Sequence, residues 1–141
     1  MTKMTLPLAQ DILAAALAHA RAKHYAPMGV VVVDAAGQTV VCAREDGASA
    51  LRLDIALGKA GAAIGMGVNS RALALRAKDL PAFFNAVAST AAQKFIAQTG
   101  AVLVRNADGT VIGAAGASGG TGDEDEALCA AGVVAVGLRA E

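Results

Sequence analysis

The sequence predicts an α+β fold, a mostly antiparallel sheet built from two hairpins with helices packed on it. Three observations point there. A β-branched run from Val30 to Val33 is followed by turn residues Asp34 to Gly37 and a second extended run. A similar pair of runs surrounds Asn106 to Gly109. Between and around the two hairpins, apolar residues recur at the 3.6-residue period of helices. Strands segregated into hairpins and separated by helices favour helices covering an antiparallel sheet over alternating βαβ units.

Thr5 followed by Pro7 opens the first helix with a capping hydroxyl and a proline in the first turn. From Leu8 to His24, Leu13, Leu17, Ala20 and His24 share one face, and Ile12, Ala16 and His19 flank it. Pro27 and Gly29 then turn the chain into the first strand. Val30 to Val33 suits a strand covered on both faces, and Gln38 to Arg44 returns beside it. A second helix runs from Leu51 to about Met66, with Leu53, Ala56, Leu57, Ala60 and Ile64 in register. A short helical piece covers Ser70 to Lys78. Pro81 opens a helix over Ala82 to Ala97, with Phe83, Val87, Ala91 and Phe95 in register. Ala101 to Arg105 and Thr110 to Ala117 form the second hairpin. Acidic residues Asp123 to Glu126 suit the first turn of a last helix completed by Ala127 to Leu138, with a short strand as the alternative for its last part because of Gly132. The expectation is one domain over residues 1–141.

Composition narrows the function. Of 141 residues, 55% are apolar but only 3% aromatic, with 16 glycines, so the core is made of small side chains whose elements approach closely. Twelve basic and twelve acidic residues give no net charge, and no basic cluster or stacking platform exists, which argues against nucleic-acid binding. No uninterrupted apolar stretch is long enough for a membrane span, and the N-terminus lacks a secretory pattern. Cys42 and Cys129 lie in apolar contexts and read as buried free thiols of a cytoplasmic protein. Faces of small residues such as Ala60 to Gly67 suit a homo-oligomer.

Four segments in order then resemble the GlcG/HbpS heme-binding family: Val31 to Gly37, Arg44 to Ala48, Asp54 to Ala60, and Asp108 to Ser118–Gly119 followed by the acidic run from Asp123. The resemblance extends from about Leu8 to Leu138. It implies a profilin-like, three-layer fold related to the C-terminal domain of PduO-type corrinoid adenosyltransferases, heme as cofactor, and usually an oligomer. Some relatives accompany catabolic pathways. Two departures stand out. Gln98-Thr99-Gly100 occupies the place of a longer glycine run, and Gly61 stands where many relatives have threonine.

Heme requires an axial donor and a flat apolar slot. His24 and His19 are the candidate donors. On one continuous helix they diverge by roughly 140° and cannot share an iron. No Cys-x-x-Cys-His is present, so covalent attachment is excluded. The alternative reading is an enzyme or binder for a small anionic metabolite. Lys59, on a largely apolar helix, is its candidate base, amine or carboxylate anchor, with Asp54 nearby as catalytic partner. Ser118, Gly119, Gly120 and Thr121 precede a helix N-terminus whose amides can receive an anion. The run Asp123 to Glu126 reads as a solvated capping turn, because consecutive helical residues point apart and no histidine completes a metal set.

Overall fold

In the computed structural model, residues 3–92 and 94–141 are described. The order is α1 (Leu6–Ala22), β1 (Gly29–Asp34), β2 (Thr39–Arg44), α2 (Arg52–Met66), α3 (Ser70–Asp79), α4 (Pro81–Thr90), β3 (Ala101–Arg105), β4 (Val111–Ser118) and α5 (Gly122–Ala135). The four strands make one antiparallel sheet in the order β2-β1-β4-β3. The two hairpins therefore join through β1 and β4, with Gly29 opposite Ser118 and Asp34 opposite Gly113. This is the expected α+β class, and its layers are consistent with a profilin-like fold.

Both turns form because short polar side chains take the place of backbone partners. Asp34 Oδ1 accepts from the Ala36 and Gln38 amides, and Asp108 Oδ1 accepts from the amide and hydroxyl of Thr110. Strand alternation then divides the core into two faces. Val30, Val32, Val102 and Val104 point towards Ile12, Ala16, Leu128 and Val133 of α1 and α5. Val31, Val33 and Leu103 meet Ala56, Ala60 and Ala63 of α2. Small residues set how closely these layers approach. A Cβ on Gly116 would lie 2.5 Å from the Ala56 carbonyl oxygen, and one on Gly132 would lie 2.6 Å from that of Ile12.

Three elements differ from the sequence reading. In α1 the fully buried stripe is Ala9, Ile12, Ala16 and Ala20, while Leu13 and Leu17 lie beside it. The small residues turn inward because α5 packs against them. The helix also stops at Ala22, so His24 lies outside it. The Tyr25 amide donates to the Ala20 carbonyl and the His24 amide to that of Arg21, the paired bonds of a Schellman cap. His24 occupies its left-handed position at φ 57°.

The fourth helix ends at Thr90 rather than continuing to Ala97. Its buried aromatic is Phe84, with Phe83 exposed. Beyond it, Phe95 reaches the same cluster from a non-helical strap and stacks on Phe84 at 6.0 Å. Ile96 donates its amide to the Gly58 carbonyl at 2.9 Å, fastening the strap to α2. Helical spacing grouped Phe95 correctly with the aromatic cluster but through the wrong backbone.

At the C-terminus, α5 ends at Ala135, and Arg139 forms a single antiparallel bridge with Arg105 beside β3. Cys129 is buried as expected, whereas Cys42 is exposed, since β2 is an edge strand. Among the described residues no helix is long and apolar enough to cross a membrane.

Candidate functional site

One end of the sheet gathers most of the chemistry. There β1 begins, β4 ends, α2 and α5 start, and the chain leaves α1. The convergence follows from the register: Gly29 pairs with Ser118 on one side and Arg44 on the other. A Cβ on Gly29 would meet the Arg52 backbone at 2.8 Å, so the start of α2 rests directly on β1. Gly119 approaches Met28 and the Pro27 carbonyl as closely, bringing the glycine-rich loop against the segment after α1.

Lys59 and Asp125 form the interior of this site. Lys59 is 5% exposed and Asp125 2%. The Lys59 ammonium donates to Asp125 Oδ2 and to the Ala117 carbonyl, both at 3.0 Å. Asp125 Oδ1 accepts the Gly120 amide at 2.9 Å. Burial pushes the Asp125 carboxyl above its ordinary value, opposed by the Gly120 amide and by Lys59. Cys129 lies one helical turn beyond, its thiol pushed up by burial and by the charge of Asp125. Gly100 makes room for the pair: a Cβ there would sit 2.7 Å from Lys59 Nζ. The glycine of the Gln98-Thr99-Gly100 stretch is therefore the residue that admits the lysine.

Outside this pair, Arg52 donates to the buried Ser118 hydroxyl at 3.1 Å. Arg52, Lys59, Gln98, Thr99, Ser118 and Gly122 are among the residues lining an open hollow of about 300 Å³. As half of an ion pair, Lys59 offers charge and N–H donors rather than a free lone pair, which suits anion binding better than attack on a carbonyl.

The remaining candidates are placed differently. Asp54 is exposed on α2, and the carboxylate that meets Lys59 is Asp125. The expected solvated turn is thus split, since Asp125 turns inward while Asp123 and Glu126 hold Arg71 of α3 outside. In the loop, the Gly120 amide serves Asp125 and the Thr121 amide serves Glu124. The Thr121 hydroxyl caps α5 through the Glu124 amide. The loop does gather carboxylates, but these two are the chain's own. His19 is half-buried with its ring edge against Tyr25 at 5.9 Å. His24 is exposed on the same corner, near a hollow of about 450 Å³ lined by Arg21, Pro27, Arg44, Glu45 and Asp46. Arg21 ties this corner together through the Tyr25 and Ala26 carbonyls and Glu45. Among the described residues no cluster of three or more His, Cys, Asp or Glu is placed to hold a metal.

Sequence reasoning missed Asp125 as the partner and Arg52 as a lining cation. A signal for the first was available: Asp125, Leu128, Cys129, Gly132 and Val133 fall on one helical stripe, and all are buried. A charge on an apolar stripe opposite another such charge points to a pair.

The family model described as "Haem degrading protein HbpS-like" matches residues 4–134. The chain belongs to the HbpS-like family. Among solved structures, a double mutant of Streptomyces reticuli HbpS is 28% identical, with a TM-score of 0.82 over 96% of this chain and 88% of that one. Klebsiella pneumoniae protein ORFY is 27% identical, with a TM-score of 0.83 over 95% and 91%. The HbpS-like fold also matches a PduOC:heme complex at TM-score 0.87 and 23% identity, covering 99% of both chains, a likeness of fold. No protein of curated function matches the chain.

Proposed function

We propose that this chain is a heme-binding or heme-handling protein, with His24 as the iron donor. Family membership supports heme as the ligand class, as do the solved HbpS relatives and the heme-bound PduOC neighbour. The observation that carries the reading to a residue is the backbone of His24. It holds the left-handed position of a helix cap at φ 57°, where glycine is favoured, and exposes its imidazole. A side chain kept where glycine costs less fits a role for the side chain itself.

The donors present suit heme, while the hollow at this corner is lined by Pro27 and the charged Arg21, Arg44, Glu45 and Asp46 rather than by a flat apolar slot. His24 offers an imidazole nitrogen to iron, and Arg44 and Arg52 offer cations to propionates at the same end of the sheet, Arg21 being held by Glu45. His19 packs on Tyr25, which supports the segment that carries His24. When bound, heme would supply an iron centre able to bind ligands and exchange electrons. The chain's own part is to hold the group, orient it through the imidazole and neutralise its carboxylates.

A hemin titration tests this. The expected result is a saturable Soret band whose position and intensity change in His24→Ala and persist in His19→Ala. A band unchanged by His24→Ala removes His24 from the role, and no saturable band removes heme.

A homo-oligomer in the cytoplasm completes the reading. Exposed Leu75 on α3, Leu80 at the junction and Phe83 on α4 support association, and the free cysteines support a reducing compartment. Light scattering coupled to gel filtration reads the subunit number.

A further inference from the structure

We infer that the hollow between α2, the strap and the start of α5 is a binding site for a carboxylate, anchored by Arg52 and Lys59. Four observations converge. The hollow, about 300 Å³, stands at the small end of the range of roughly 300–1,000 Å³ usual for ligand pockets, and suits a group of a few carbons. Its charge is unbalanced. Asp125 answers Lys59, and Arg52 lies close enough to act on Asp125 as well. Two cations thus share one carboxylate, and none of the ion pairs among the described residues uses Arg52. One anion would balance them.

Donor geometry agrees. A lysine ammonium carries three N–H groups. Two of those on Lys59 reach Ala117 and Asp125, and the third has no acceptor among the described residues, although the side chain lines the hollow. The Arg52 guanidinium spends one N–H on Ser118 and keeps the remainder of its fork, whose shape matches a carboxylate at two points. The surroundings are built to hold these donors still. Ser118 is buried, Gly100 admits the lysine stem, and Gln98 and Thr99 close one wall from the strap.

Carboxylate is the shared chemistry of two sources, a free short-chain acid and the side chain of a larger ligand such as a porphyrin. Only the second rests on the heme reading. The full chain, purified without hemin, is titrated with sodium propionate and followed by ¹⁵N–¹H correlation spectra. Saturable shifts are expected at the Thr99, Gly120 and Gly122 amides, with none on adding propylammonium chloride at equal ionic strength. Arg52→Gln weakens propionate at least tenfold. If that variant does not fold, Arg52→Lys, which keeps the charge but loses the fork, must weaken it as well. Repeating the titration with one equivalent of hemin separates the sources: displacement of propionate assigns the hollow to a heme side chain, and undisturbed binding assigns it to a free acid. Absence of saturable shifts at these amides, shifts centred on another hollow, or equal affinity in the arginine variant overturns the inference.

Discussion

Lys59 on α2 and Asp125 on α5 meet at 3.0 Å across the interior, 66 positions apart in sequence. The pair joins the helices on opposite faces of the sheet at the one end where β4 stops short of separating them. Removing one partner strands the other. Asp125→Leu leaves a buried ammonium without its counter-ion and is expected to cost about 3–5 kcal/mol. The double variant Lys59→Met, Asp125→Leu recovers most of that loss, because two apolar side chains replace two desolvated charges. Urea unfolding of the single and double variants measures the cycle. A double variant no more stable than Asp125→Leu would show that the site needs charge to fold.

The pH dependence of Asp125 has a definite sign. Burial, the largest influence, raises its pKa above the ordinary 3.8, against the Gly120 amide and Lys59. The folded chain therefore holds this proton at pH values where the unfolded chain has released it. The contribution to stability is fully present below about pH 3.8 and is lost as pH rises through the folded-state value. Compared with Asp125→Asn, the native chain should lose ground as pH increases from 3.8 upwards. Urea midpoints of both chains between pH 3 and 7 check this. A difference that instead moves in favour of the native chain over that interval contradicts a raised carboxyl pKa.

His24 gives a separation of stability from binding. At φ 57° its Cβ is strained, whereas glycine adopts the same cap freely. His24→Gly is expected to stabilise the chain by about 1 kcal/mol while weakening hemin binding. A purely structural histidine would give no such opposition. Thermal unfolding and the hemin titration, run on the same preparation, read both effects, and a destabilised variant would mean that the imidazole supports the fold.

The fold was legible wherever local chemistry decides local structure. Asp34 and Asp108 read as turns because their carboxylates reach amides two residues on, and Val30 to Val33 read as a doubly covered strand because no polar residue interrupts it. The end of α4 was not legible, since Phe95 satisfies helical spacing while α2 decides its position through Gly58 and Ile96. The site divided in the same way. Lys59 stood out as a charge on an apolar helix, but its partner was hidden within an acidic run whose other members do face water. The apolar stripe that Asp125 shares with Leu128, Cys129, Gly132 and Val133 marks it in the sequence, but tertiary placement sets it against Lys59 in place of the exposed Asp54, and only the register of β1 with β4 brings Arg52 to Ser118.

Gly61 tests how the strap is held. A Cβ there would collide with the Lys94 carbonyl, while neighbouring Gly58 lies under the Ile96 side chain. Backbone is the obstacle at Gly61, so a larger residue cannot be accommodated by a change of rotamer. Gly61→Thr must lift the strap or push α2 off the sheet, and overpacking of this kind costs about 1–3 kcal/mol. Because Ile96 is fastened to Gly58 by its amide, lifting the strap breaks that bond and moves Gln98 and Thr99, which wall the hollow. The expected outcome is loss of hydrogen-exchange protection at the Ile96 amide, with protection at the β1 amides of Val31 and Val32 retained. If Gly61→Thr keeps full protection at Ile96 and unfolds at the native urea midpoint, close approach at Gly61 does not hold the strap.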